Sequence, residues 1–490
     1  MMRLIHAAPA LALALLLAAC TVGPRPGASP GPVPALQTRA DGALSPATRA
    51  YLDSLSRTRA AQPAPLASAG TQLDTTRALA WLDVLQDPQL VSLVNEAVAG
   101  NRELALAEGR VREYRSLVTV ARSGLYPQVS ANAGTSRNRA IQGPNGLEFD
   151  AVRVTGDATW ELDFWGQTRR GTQAARYDLG ARREDARAVT LSLVGDVATA
   201  YLQMRELDEN LRLAEETLES RRLTVELARQ RFRQGVTSEL DVRQFEAELA
   251  DPAARLADFA RQRTEAENRL ALLLGRAPGP IARGRPLEEV VRAVSIPASI
   301  PGELIAGRPD VRAAERALQA STARVGATMA NRYPSVALTG MYGTQRENFS
   351  GLFDRSGEVY TMQLGVSVPL FTGGRQRGEE GAARARTVQA RSQYEQTVLS
   401  ALREADDALA GVRSGRDQLL ARGAQVQALR AALNMAEQRY RAGVSSYLEV
   451  LDPQRQLFAA RLALVQAERQ YLVSIVNLYR ALGGSWDNAQ

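Results

Sequence analysis

The stretch RYRAGVSSYLEVLDPQR, from Arg439 to Arg455, decides the fold, because it joins two long helical patterns through a glycine and a few small polar residues. A near-copy, RFRQGVTSELDVRQ, occupies residues 231–244. Each copy has the pattern of a helical hairpin tip. The second copy also places Glu449 and Asp452 three residues apart in the first turns of the new helix, and therefore on one helix face.

The two tips belong to a tandem repeat that covers most of the chain. Tyr126 recurs 207 positions later as Tyr333, and Gly235 recurs 208 positions later as Gly443. The repeat predicts two copies of one structural unit, at residues 76–290 and 291–490.

Each unit is predicted to contain two strands and several helices. An opening helix is expected to start near Asp87 and Pro88 and to run to Tyr126, and its counterpart is expected to start after Arg308, Pro309 and Asp310. Apolar and polar residues then alternate with the period of a strand, and the longer segments that follow carry apolar residues at spacings of three and four, which predict coiled-coil packing. The predicted strands are 128–142, 150–165, 335–347 and 358–371, and the predicted long helices are 167–233, 237–275, 375–441 and 446–483.

The N-terminal segment has the features of a bacterial lipoprotein signal. Arg3 precedes an apolar run at residues 7–19 that is too short to span a membrane. The run ends in Leu-Ala-Ala before Cys20, which resembles a lipobox, and Cys20 is the only cysteine in the sequence. We expect residues 1–19 to be the signal peptide, Cys20 to be the lipidation site, and the proline-rich residues 20–75 to be an acylated tether.

Four strands with one apolar face could span a bilayer but are too few to close a barrel. An open sheet edge is not tolerated in lipid, so membrane-spanning strands would need other copies of the chain to complete the barrel. Three copies would supply twelve strands. The alternative is a soluble four-stranded sheet that caps a helical bundle.

Motifs throughout the chain resemble those of TolC-like outer-membrane efflux proteins, in the lipid-anchored branch that serves drug-efflux systems of the resistance-nodulation-division type. The resemblance covers nearly everything from Trp81 to Trp486. It is carried by residues 80–81 and 87–90 (AW and DPQL), 308–315 (RPDVRAAE), 333–335 (YPS), 368–375 (VPLFTGGR), 447–452 (YLEVLD) and 476–484 (VNLYRALGG).

The resemblance implies a mainly α fold with a β-barrel contribution, in which a homotrimer forms a 12-stranded barrel and an α-helical periplasmic tunnel. It implies a lipid-anchored outer-membrane location and two protein partners, a periplasmic adaptor (membrane fusion) protein and an inner-membrane pump. The adaptor would dock on the tips at Gly235, Val236, Thr237, Gly443, Val444 and Ser445. The closed periplasmic gate would be formed by Leu448, Glu449, Asp452 and Arg455.

The implied function is export of drugs or other small toxic compounds through a gated channel. Alternatives are an outer-membrane channel for type I protein secretion or for metal-ion efflux, and a non-transporting lipoprotein that acts as an envelope spacer. An enzyme is disfavoured because the only histidine, His6, lies in the signal peptide. We expect no cofactor apart from the covalent lipid, no metal site, and no nucleic-acid partner, because no basic patch is interleaved with aromatic residues.

Pro252 and Pro453 each lie inside a predicted helix and are expected to bend it.

Overall fold

The computed structural model describes residues 23–24, 82–140, 147–294, 306–350 and 352–484. Four strands and nine α-helices occur in these residues, so the mainly α fold class is confirmed. The helices are α1 (Leu82–Leu85), α2 (Pro88–Gly100), α3 (Arg102–Ser123), α4 (Gln167–Arg233), α5 (Glu239–Leu273), α6 (Leu287–Ala293), α7 (Pro309–Ala330), α8 (Arg375–Arg441) and α9 (Leu448–Ala481). The strands are β1 (Gln128–Ala140), β2 (Leu147–Leu162), β3 (Ser335–Arg346) and β4 (Glu358–Ser367). None of the described helices is long and apolar enough to cross a membrane.

The four strands form one antiparallel sheet in the order β1-β2-β3-β4. Trp160 of β2 lies opposite Leu338 of β3, which in turn lies opposite Leu364 of β4. Another row on the same face places Gly156, Tyr342 and Tyr360 side by side. Because side chains alternate between the two faces of a strand, these rows give the sheet one apolar face.

The opposite face of the sheet is polar. Its rows include Thr159, Thr339 and Gln363, which pair across three strands. On this face Asn132 Nδ2 donates to Asp157 Oδ2 at 2.7 Å. The alternation predicted from the sequence therefore separates a polar and an apolar surface in the folded sheet.

The strand ends differ in places from the predicted bounds. β2 begins at Leu147 rather than at residue 150, and β4 ends at Ser367 rather than at residue 371. Pro369 follows the observed end of β4, and a proline has no backbone N–H to donate to a neighbouring strand.

The expected single opening helix is two helices, which corrects the prediction from the sequence. α2 ends at Gly100 and α3 begins at Arg102. Between them, Asn101 Oδ1 accepts hydrogen bonds from the backbone N–H groups of Glu103 (2.9 Å) and Leu104 (3.0 Å). A side-chain acceptor of this kind satisfies the first free N–H groups of the new helix, so Asn101 separates α2 from α3.

The long helices continue past both internal prolines. Pro252 lies inside α5, where it is buried, and Pro453 is the sixth residue of α9. Each proline lacks the N–H that would donate to the carbonyl four residues earlier, so each helix continues with one backbone hydrogen bond fewer at this point.

The described chain divides into two compact units. One contains the sheet and is built from residues 23–24, 108–185 and 312–397. The other contains both hairpin tips and is built from residues 82–107, 186–294, 306–311 and 398–484. Each unit thus combines segments of both sequence repeats.

Candidate functional site

The candidate functional site consists of the two hairpin tips and the first turns of α5 and α9. Gly235 and Gly443 end the long helices α4 and α8 with positive φ angles of 72° and 73°. The N–H of Val236 donates to Arg231 O at 3.0 Å, and the N–H of Val444 donates to Arg439 O at the same distance. This is the Schellman arrangement, in which glycine adopts the left-handed conformation without steric cost.

Both tips expose an apolar side chain to solvent. Val236 is 70% exposed and Val444 is 69% exposed. Thr237 and Ser445 follow them in the two turns. The structure thus places the six predicted docking residues in two equivalent turns.

The first tip is closed by a capping box. Ser238 Oγ accepts from the N–H of Asp241 at 3.2 Å, and Asp241 Oδ2 accepts from the N–H of Ser238 at 3.2 Å. Thr237 Oγ1 also donates to Asp241 Oδ2 at 2.7 Å. The hydrogen bonds from Thr237 and Ser238 lower the pKa of the Asp241 carboxyl group.

The second tip lacks this cap, although the two tips share a sequence pattern. α9 begins without a side-chain capping hydrogen bond. Glu449 occupies the position that corresponds to Asp241, and its Oε2 lies 3.3 Å from Arg439 Nε. Ser445 Oγ is buried and has no hydrogen-bond partner. The second tip is therefore joined to its preceding helix by an exposed ion pair.

A small apolar core packs the two tips against each other. The rings of Phe245 and Tyr447 have centroids 3.6 Å apart, and Tyr440 meets Tyr447 edge-on at 5.7 Å. Burial raises the pKa of the Tyr447 hydroxyl. The buried members of this tip core are Val225, Ala228, Val242, Phe245, Ala436, Tyr447, Val450 and Leu451.

Three of the predicted gate residues share the exposed face of α9. Leu448 is 64% exposed, and Glu449 and Asp452 are also exposed, whereas Val450 and Leu451 between them are buried in the tip core. Asp452 Oδ2 accepts a hydrogen bond from Gln456 Nε2 at 2.7 Å. Both carboxylates are thus available to groups outside the protomer.

The fourth predicted gate residue, Arg455, has a partner on another helix. Its guanidinium forms an ion pair with Glu248 of α5. Arg221 NH1 lies 3.2 Å from the other carboxylate oxygen of Glu248, and Arg221 and Glu248 are only 6% and 8% exposed. Glu248 was not among the residues predicted from the sequence. It lies three residues after Phe245 and six after Val242, on the buried face of α5, so a charged residue among apolar ones was the available signal.

Two of the motif residues that carried the resemblance are structural. Asp87 Oδ1 caps α2 by accepting from the N–H of Gln89 at 3.0 Å, and Asp87 Oδ2 accepts from the buried Tyr201 hydroxyl at 2.7 Å. The Arg308 guanidinium is buried and lies 2.7 Å from both Asp310 and Glu404. These motif residues therefore hold helices together.

One predicted site lies outside the described part of the chain. The predicted lipidation site, Cys20, lies outside the described residues, as do nearly all of the signal peptide and tether. Within the described residues, no group of three or more His, Cys, Asp or Glu side chains is arranged to hold a metal ion.

The family of the chain follows from its similarity to known proteins. The family model described as outer membrane efflux protein matches residues 93–276 and 300–484. The chain is 33% identical over 413 residues to the solvent efflux pump outer membrane protein SrpC of Pseudomonas putida. The aligned residues make up 83% of this chain and 88% of that protein. It is 31% identical over 410 residues to the cation efflux system protein CusC of Escherichia coli, and these residues make up 83% of this chain and 88% of CusC. Among solved structures, the outer-membrane channel OprN matches with a TM-score of 0.77 and 30% identity over 87% of this chain and 99% of that one. The chain therefore belongs to the outer membrane efflux protein family and is a protein of the outer membrane.

Proposed function

We propose that three copies of this chain form an outer-membrane channel that exports small toxic organic compounds in a tripartite efflux system. The single observation that supports this best is the sheet, which has one exposed apolar face and two unpaired edges, at β1 and β4. Unpaired edges are not tolerated in lipid, so the sheet needs neighbours. Three copies supply twelve strands, an even number typical of bacterial barrels.

The dimensions of the apolar face fit a membrane. Tyr333 stacks on Trp165 near one end of β3, and Tyr342 faces Tyr360 toward the other end. The nine positions from Tyr333 to Tyr342 span about 30 Å along a strand. A tilt of roughly 35–45° reduces this to about 21–25 Å, close to the apolar band between the two aromatic girdles of outer-membrane barrels.

The remaining parts of the proposal concern the gate and the partners. In a trimer, three copies of Glu449 and Asp452 would form rings of like charge at the periplasmic mouth. Cations or arginines that bridge these carboxylates would hold the mouth closed, and opening would break the bridges. The adaptor would dock on the exposed tips around Val236 and Val444 and favour the open form. The inner-membrane pump would then deliver the compound.

Organic compounds are the preferred substrate class because SrpC is named as a solvent efflux protein. A second class, metal cations, is supported by CusC, which is named as a cation efflux protein. Accumulation assays in cells that lack their own efflux channel distinguish the two. Lower accumulation of an organic dye, with unchanged tolerance of metal salts, supports the organic class, and the reverse result contradicts it.

Replacing Glu449 and Asp452 together by Ala tests the gate. We expect the double variant to have a higher conductance in planar bilayers, because the carboxylates that arginines or cations would bridge in the closed mouth are lost. We also expect weaker cation selectivity than in the native channel, because two rings of negative charge are lost. Glu239→Ala, which removes an exposed acid at the first tip, serves as the control and should leave both quantities unchanged. Native conductance and selectivity in the double variant would exclude the gate assignment.

The anchor completes the proposal. We propose that Cys20 is the acylated mature N-terminus, because it follows a signal-like apolar run and is the only cysteine. The intact mass of the purified mature protein should equal the chain from Cys20 plus its acyl groups, and a mature chain that starts elsewhere without lipid would contradict this.

A further inference from the structure

The segment between β4 and α8, residues 368–374 (the connector), carries the most exposed large apolar side chains in the described part of the chain. Leu370 is 94% exposed and Phe371 is 92% exposed. The connector belongs to a motif that supported the family resemblance, but neither the channel nor the gate uses these two side chains. Large apolar groups that are almost fully exposed mark an interaction surface.

The connector continues the apolar stripe of β4. Met362, Leu364 and Val366, on the apolar face of the sheet, are 78%, 64% and 64% exposed, and Val368 continues the alternation at 49%. Leu370 is the next position in this series. Whatever covers the apolar face of β4 is therefore expected to reach the connector.

The surroundings of the connector have the composition of a membrane–water boundary. The Trp165 and Tyr333 rings stack with their centroids 4.8 Å apart, and Trp165 Nε1 donates to Pro334 O at 2.6 Å. A cavity of about 310 Å³ is lined by both rings, by Pro369 and by Arg375. Trp and Tyr prefer the headgroup level of a bilayer, where one end of the side chain is apolar and the other is wet.

The backbone fixes the connector where α8 begins. Gly373 and Gly374 have φ angles of 57° and 87°, and the N–H of Arg375 donates to Thr372 O at 3.0 Å. Two successive residues with positive φ make a tight turn that glycine forms most readily. Beyond it, the exposed Arg375 and Arg377 occupy the first turn of α8, and Arg375 NH1 lies 3.2 Å from Glu379.

We propose that the connector inserts into the periplasmic leaflet of the outer membrane, with Leu370 and Phe371 at the boundary between acyl chains and headgroups and with Arg375 and Arg377 facing lipid phosphates. The partner is a phospholipid surface, because the connector continues the lipid-facing stripe and arginines follow it directly. The inference rests on the proposed function, in which β4 spans the membrane. It adds a second membrane contact at the start of the long helix α8.

Photo-crosslinking of the full-length protein in intact outer membranes tests this proposal. The photoreactive amino acid p-benzoylphenylalanine replaces one residue at a time, at Leu370, Phe371, Met362 or Val388. Met362 is the lipid-facing reference on β4. Val388 is a matched apolar control that is 65% exposed but lies thirteen residues into α8, about 20 Å along the helix from Arg375.

After illumination, we expect the intact mass of the Leu370, Phe371 and Met362 variants to increase by one phospholipid, and that of the Val388 variant to show no lipid adduct. If only Met362 captures lipid, the connector proposal is wrong while the membrane-spanning sheet stands. Cross-links from Leu370 and Phe371 to a second copy of the chain would also overturn the connector proposal, because they would show a contact between protomers. Absence of lipid at all positions, Met362 included, would contradict both the connector proposal and the proposed function.

Discussion

At the residue scale, Glu248 is the group on which the tip region depends most. It is buried between Arg221 and Arg455, but the two arginines differ, since the Arg221 side chain is 7% exposed and the Arg455 side chain is 60% exposed. A buried charge that loses its partner is costly, whereas an exposed ion pair contributes little to stability. Glu248 therefore compensates the buried charge of Arg221, which stabilises the fold, and it holds the exposed side chain of Arg455 in position.

Two substitutions separate these roles. Glu248→Gln leaves Arg221 buried without a carboxylate and should cost about 3–5 kcal/mol. Arg455→Gln should cost about 1 kcal/mol or less, because its ion pair is largely solvated. Hydrogen exchange of the α5 and α9 backbone amides measures both effects. Equal protection in the two variants would show that the buried pair has no special importance.

Asp241 makes the stability of the first tip depend on pH. Hydrogen bonds from Thr237 and Ser238 lower its pKa, so the ionised carboxylate stabilises the folded tip. This contribution is complete above the ordinary aspartate pKa of about 3.9 and is lost as the pH falls through the lower pKa of the folded state.

Hydrogen exchange tests this dependence. We expect the first-turn amides of α5 to exchange faster below about pH 4, after correction for the intrinsic exchange rate, and those of α9 to change less. Asp241→Asn should abolish the difference, and an equal response of both helices would contradict it.

At the scale of the elements, the contact between Phe245 and Tyr447 joins a helix of the first repeat to a helix of the second. Tyr447→Ala removes a buried ring and should cost about 3–5 kcal/mol. Tyr447→Phe keeps the packing with Phe245 and loses only the hydrogen bond from the hydroxyl to Gln454 Oε1 (3.2 Å), so it should cost about 1 kcal/mol. Limited proteolysis at the tips measures the effect, because a loosened tip exposes its turn to cleavage. If the two variants are cleaved at the same rate, the ring contact does not hold the tips together.

At the scale of the whole molecule, the proposed channel requires oligomerisation, because an open sheet that spans a membrane needs neighbouring copies. We expect native mass spectrometry of the detergent-solubilised protein to give three times the mass of one chain, because the unpaired edges of β1 and β4 need partners. Cys20→Ala should remove the lipid but leave the trimer intact, since the strands and not the anchor supply the interface. A stable monomer that still contains the folded sheet would contradict the trimeric channel.

The sequence by itself determined the family, the element types and many of the element bounds. Glycines at positions 235 and 443 need a backbone conformation that other residues rarely adopt, and heptad spacing favours one helical geometry over long stretches. The prediction for residues 167–233 is a helix, and α4 spans Gln167–Arg233. Strand alternation likewise assigned the apolar face of the sheet, because side-chain direction in a strand follows directly from the position of the residue.

Only the tertiary structure decided which residues meet. The ion pair of Arg455 with Glu248 and the ring contact of Tyr447 with Phe245 join residues about two hundred positions apart, and no local pattern fixes such a distance. The two tips also differ in a way that their similar sequences conceal, since Asp241 caps its helix whereas Glu449 pairs with Arg439. A carboxylate one methylene longer reaches a different donor, and which donors lie within reach is fixed by the packing of the surrounding helices.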